Sequence, residues 1–229
     1  MEQEVISKLL SYEDRVWYQM QLMREPVFDH IPKEELEDVI QSCVQRGLDL
    51  VEQYRELEGY IPFEEWFEQR NVSICSKEEI QAPPLILFAS VSTKPARVDI
   101  YTDALSKALS SLSSDSQWPD GEAPEMDLLR QVVLAHECFH ILEEDDLKHR
   151  YNYTVHYKIG PLQRSATLRQ TTEVSAAVFA KEICGLRFNP GILDVALLTA
   201  YDKKGKDSAQ TFLKSLEHIR LQQNELFKA

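Results

Sequence analysis

Apolar residues recur at three- and four-residue spacing over most of this chain, and the elements they predict are mainly helices. Val5, Leu9, Leu10, Val16, Trp17 and Met20 predict a first helix that ends before Pro26. Pro32-Lys33-Glu34-Glu35 has the form of a helix start, with acidic side chains in the first turn where they complement the helix dipole. Leu36, Val39, Ile40, Cys43, Val44, Leu48, Val51 and Tyr54 continue it as a long apolar stripe, so residues 1–60 read as an N-terminal helical hairpin packed on the core. A short third helix is expected from Pro62, carrying Phe63, Trp66 and Phe67.

Strand character is confined to Leu85-Ile86-Leu87-Phe88 and to Ala96-Arg97-Val98-Asp99-Ile100-Tyr101, with polar turn residues between. Two strands cannot stand alone in water, so this pair has to pack on helices. Helical spacing returns from Asp103 to Leu112, and the Ser-, Pro-, Gly- and Asp-rich residues 113–125 read as a surface loop, not a domain linker. From Met126 the pattern is helical again. Residues 151–160, YNYTVHYKIG, alternate aromatic and polar positions as a strand or an ordered loop would. Ser165 to Ile183 predicts a helix closed by Gly185, and an amphipathic helix is expected from Ser208 to Leu226. The fold class is therefore α+β and predominantly helical, with a small β-sheet, residues 61–229 forming the main domain and no internal repeat.

Composition narrows this picture. A chain of 229 residues can bury a core without covalent staples. Its four cysteines, Cys43, Cys75, Cys138 and Cys184, form no C-x-x-C pair, so free thiols in a reducing cytoplasm are expected. The first twenty residues mix acidic with apolar side chains, unlike a secretory signal, and no apolar run is long enough for a membrane span. With 38 acidic against 25 basic side chains, the net charge of −13 argues against nucleic acid and anionic membranes as partners.

The chemistry is concentrated in AHECFHILEE, where His136-Glu137-Cys138-Phe139-His140 makes an H-E-x-x-H pattern. On a helix, residues four apart stand one turn above each other, so His136 and His140 present two imidazoles to one point, as a Zn²⁺ ion requires. Glu137 projects near the same face and can act as a general base toward water. Cys138 lies about 200° around the helix from His136 and is expected to face the core. A catalytic zinc site needs a third protein ligand and one open position.

Two residues compete for that third place. Asp146 stands six positions after His140, where an extended H-E-x-x-H-x-x-G-x-x-[HD] site has its ligand. That geometry needs a sharp turn at glycine, and Glu143 occupies the position; no methionine follows Met126 to make a Met-turn. Glu143 to Asp146 reads instead as a solvated acidic helix end. Glu173, thirty-three residues after His140, opens a segment in which Ala176, Ala177 and Ala180 let a second helix approach the first closely. Glu173 is the better candidate.

These two segments resemble the ImmA/IrrE family of small zinc-dependent peptidases, in which H-E-x-x-H is followed by a helix beginning E-x-x-A-x-x-F-A. The match is His136-Glu137-x-x-His140 and then Glu173-x-x-Ala176-x-x-Phe179-Ala180, with a looser likeness across about residues 61–195. The resemblance implies a zincin-like core of the gluzincin type: a metallopeptidase with His136, His140 and Glu173 as zinc ligands and Glu137 as catalytic base. This chain differs from the pattern at Phe139, where a small residue is usual, at Ser175, where a second glutamate is common, and in a longer insertion containing YNYTVHY.

His156 or Tyr157 in that insertion could donate a hydrogen bond to an oxyanion, although an aromatic strand packed on the core is the simpler reading. His30, His149 and His218 carry no motif and are expected to be exposed. The leading functional expectation is a cytoplasmic zinc-dependent peptidase acting on a restricted protein or peptide substrate, with the N-terminal helices as a docking element. The alternative is a zinc-binding regulatory or interaction protein without peptidase activity, in which Phe139 or the insertion closes the open coordination position. A helical scaffold without metal is the third reading.

Overall fold

Residues 9 and 16 are seven apart, which suits a single helix, yet the first predicted helix is two. A computed structural model describes residues 1, 3–59, 61–78, 81, 86–112, 118, 123–145, 151–201 and 206–226. In it α1 (Gln3–Leu10) is closed when the Ser11 backbone and hydroxyl both donate to the Lys8 carbonyl, and α2 (Asp14–Leu22) restarts after Glu13 in extended conformation. Tyr12, between them, is buried and donates its hydroxyl to Glu217 at 2.9 Å. After a 3₁₀ turn at Phe28–His30 comes α3 (Leu36–Glu58), then the expected short helix, α4 (Phe63–Gln69), in which Phe63, Trp66 and Phe67 are buried.

The N-terminal helices do not simply pair with one another, because α3 packs most extensively on α7 (Gln170–Ile183). The reason is a seam of small groups. A Cβ at Gly47 would stand 2.7 Å from the Ser175 carbonyl oxygen and 2.7 Å from the Val178 Cβ, closer than side chains tolerate. Ser175, buried, donates its hydroxyl to the Cys43 carbonyl at 2.9 Å, with the Thr171 carbonyl at 3.1 Å. Gly47→Ala is therefore expected to push α3 from α7 and destabilise the protein by about 1–3 kcal/mol, despite alanine's better helix propensity. Urea unfolding checks this; an unchanged midpoint would mean the seam can relax.

The small sheet has one more strand than its apolar pattern suggests, in the order β1-β3-β2. Strands β1 (Ser73–Lys77) and β3 (Ala96–Tyr101) run parallel, with Ile74 beside Val98, and β2 (Ala89–Thr93) pairs antiparallel with β3. No residue of β1 is fully buried, which left it no alternating signature. The strand expected at 85–88 starts instead at Ala89; Leu85 lies outside the described residues, and 86–88 lead into β2. Helix α5 (Thr102–Leu112) follows, and residues 113–117 and 119–122 of the expected loop lie outside the described residues.

Helix α6 (Met126–Asp145) carries the H-E-x-x-H segment and packs on α4, α5, α7 and β2. The expected helix from Ser165 begins only at Gln170, because Ser165 to Thr167 belong to an antiparallel hairpin of β4 (Thr154–Ile159) and β5 (Leu162–Thr167). Its turn uses Gly160 at φ +59°. Helices α8 (Gly191–Tyr201) and α9 (Lys206–Leu226) complete the chain, and α9 packs on α1, α2 and α8. The architecture is α+β with nine α-helices among the described residues. No helix among them is long and apolar enough to cross a membrane.

Candidate metal centre

Two helices build the site. On α6, Leu134, Ala135 and Cys138 are buried in the core, while His136, Glu137 and His140 line a cleft. Cys138 faces the core, as helical geometry requires. The Phe139 ring lies edge-on to His140 with centroids 5.7 Å apart and also meets Phe179 of α7 at 5.9 Å, so it supports His140 from the core side. On α7, the buried Ala176 and Ala180 allow the close approach that puts Glu173, in the first turn, opposite the histidines.

The start of α7 is fixed from outside the helix. The Gln170 N–H donates to the Glu25 carboxylate at 2.7 Å, Gln21 donates to the Gln170 side chain at 2.5 Å, and the Thr171 hydroxyl donates to the Leu168 carbonyl at 2.8 Å. These bonds tether the first turn of α7, which carries Glu173.

The resulting geometry is tight. His136 Nε2 is 3.1 Å from His140 Nε2 and 3.2 Å from Glu173 Oε2, while His140 Nε2 is 3.7 Å from Glu173 Oε1. Zinc bonds of about 2.0–2.1 Å at tetrahedral angles require donor atoms roughly 3.3 Å apart, so two imidazoles and a carboxylate spaced in this way fit one zinc ion. The three side chains keep 31%, 26% and 37% of their surface exposed, which leaves a route for solvent to the fourth position. Among the described residues, these three form the group able to hold a metal.

Electrostatics bind the same residues together. Burial works against charge on His136, but the hydrogen bond to Glu173 and its charge, aided by Glu137 and Asp194, raise its pKa to about 9. Burial would raise Glu173, yet His136, then His140 and Arg24, bring it down to about 2. A proton and a metal ion compete for the same imidazole nitrogen. The Glu137 carboxyl is raised above the ordinary glutamate range, chiefly by burial and further by Glu173, with His136 opposing.

His136, Glu137, His140 and Glu173 line a cleft of about 420 Å³, the size of small-ligand and peptide side-chain sites. No protein family, curated protein or solved structure matches this chain. The site therefore has to be read from its own residues.

Several sequence-predicted residues lie elsewhere. Asp146 and His149 are outside the described residues. Glu143, expected in solvent, is 3% exposed, and its charge adds to burial in raising the Cys43 thiol on α3; Glu144 and Asp145 are the exposed acids of this helix end. Position 143 stands one helical turn after Phe139, which is fully buried. Tyr157 stacks on His30 at 4.6 Å, and neither it nor the exposed His156 lines the cleft. His30 and His218 are exposed, as expected.

Sequence reading missed much of the wall. Trp17, Gln21 and Arg24, in or just after α2, and Asn189 and Asp194, at α8, line the cleft. No motif marks them. The one available signal was Asn189-Pro190-Gly191, a helix-start pattern in which the Asn189 side chain accepts the Gly191 N–H at 2.9 Å.

Proposed function

We propose that this protein is a zinc-dependent peptidase of the gluzincin type, with a zincin-like pairing of α6 and α7. The observation that carries the reading is the convergence of His136, His140 and Glu173 beside Glu137 in a cleft open to solvent. His136, His140 and Glu173 would hold the ion. When bound there, zinc supplies Lewis acidity, polarising a carbonyl and lowering the pKa of water.

The chain's own residues do the remainder. Glu137, made more basic by burial, takes one proton from the attacking water as its oxygen bonds to the carbonyl carbon, and returns that proton to the amine nitrogen when the C–N bond breaks. Strand β2 ends the β1-β3-β2 order, and its Ala89 and Ser90 line the cleft. Its outer edge offers backbone groups to an extended peptide. Trp17, Phe88 and Leu193 supply apolar walls for side chains.

The non-enzymatic alternative needed Phe139 or the insertion to close the fourth position. Phe139 is fully buried and does not line the cleft, and no described residue of the β4–β5 hairpin lines it either. These observations favour the peptidase. Purified protein is expected to hold close to one zinc per chain by mass spectrometry of metals. Chelation should abolish cleavage of a mixed peptide library, and zinc should restore it. Protein that purifies without zinc and takes up none when it is supplied would sink the reading.

A further inference from the structure

One cation stands in the cleft wall. Of the described residues that line the cleft, Arg24 is the only lysine or arginine, and its Nη2 donates to Asp194 at 2.8 Å. A guanidinium has five N–H donors in a planar fork, and this contact uses one nitrogen of the three. The two side chains remain 41% and 37% exposed, and an ion pair that open to water is weak. The pairing with Asp194 therefore leaves Arg24 with donors for another carboxylate.

The backbone of Arg24 is tethered to the start of the helix that carries Glu173. Its backbone N–H donates to the Gln21 carbonyl at 3.1 Å, closing the end of α2. On either side of it in sequence, Gln21 and Glu25 hydrogen-bond to Gln170, three residues before Glu173. The surroundings make this cation specific: the chain carries a net charge of −13, and Glu137, Glu173 and Asp194 face the same space. Away from the metal-binding histidines, Arg24 is the cleft-lining side chain that attracts a carboxylate.

We propose that Arg24 is a specificity-determining residue that anchors a carboxylate of the peptide substrate, with Asp194 as its ion-pair partner in the cleft wall. The inference rests on the zinc-peptidase reading. The carboxylate is either the substrate's free C-terminus or an acidic side chain near the scissile bond, which is one recognition chemistry from two sources.

The test uses the full-length, zinc-loaded protein and three matched hydroxamates. One ends in Leu-Phe with a free carboxylate, one in Leu-Phe amide and one in Leu-Glu amide. Binding is followed by calorimetry. One carboxylate-bearing probe is expected to bind about tenfold to a hundredfold more tightly than Leu-Phe amide, the range for hydrogen bonds to charged groups. A preference for the first probe assigns the C-terminus, and one for the third assigns an acidic side chain. Arg24→Gln should bring the favoured probe down to the affinity of Leu-Phe amide, with that reference affinity and the zinc content unchanged. Equal binding of all three probes, or a preference that survives Arg24→Gln, overturns the proposal. Failure of every probe to bind overturns the zinc-peptidase reading along with it.

Discussion

Glu137→Gln is expected to lower kcat/KM for peptide hydrolysis by roughly 10²–10⁴-fold, the usual contribution of a positioned general base, while zinc stays bound. Glutamine has nearly the same volume, so cleft shape and the packing of α6 are kept. What disappears is a carboxylate that burial has made more basic and that faces the cleft beside His136. Glu137 lies outside the three-residue metal group, so metal content and activity should separate in this variant. The measurement is cleavage rate together with metal stoichiometry on the same preparation. Zinc at the wild-type level with undiminished cleavage would remove Glu137 from the mechanism. Loss of both would mean that it holds the site together.

Glu173→Ala should have the larger effect on the metal. A three-ligand site loses its only anionic ligand and keeps two imidazoles, and the loss should exceed the 10–100-fold that removing an outer-shell partner of a zinc site typically costs. Competition with a chromophoric chelator measures it. Zinc also links to stability, since a ligand at about 100 times its Kd adds about 2.7 kcal/mol to the folded state. Zinc should thus raise the Tm of the wild type and leave the variant almost unmoved. A variant that binds zinc as tightly as the wild type would transfer the third ligand to another residue, with Asp146 the first to substitute.

How legible all this was in the sequence follows from the range of each signal. The H-E-x-x-H histidines meet because helix geometry alone determines their spacing, so local pattern sufficed. Glu173 was legible because its helix is rich in alanine, and close helix packing requires small residues. Strand β1 was not, since a strand without a buried residue has no apolar alternation to display. The break at Ser11 escaped notice because apolar spacing on either side matches an unbroken helix. Glu143 was misjudged because its burial depends on a facing helix rather than on its own charged neighbours. Arg24 and Asp194 were invisible for a plainer reason: 170 positions separate them, and only the fold brings them to one ion pair.

The placement of α7 between two partners has a consequence for how this chain can vary. Glu173, Ala177 and Ala180 face the cleft, Ser175 and Val178 meet α3, and Phe179 meets Phe139 of α6. Every side of the helix is therefore assigned. Inserting or deleting one residue within it turns all that follows by about 100°, exchanging a cleft-facing alanine for a core phenylalanine. The length of α7 is thus under tighter restraint than its composition, whereas the β4–β5 hairpin just before it can lengthen at its turn without altering any of those assignments.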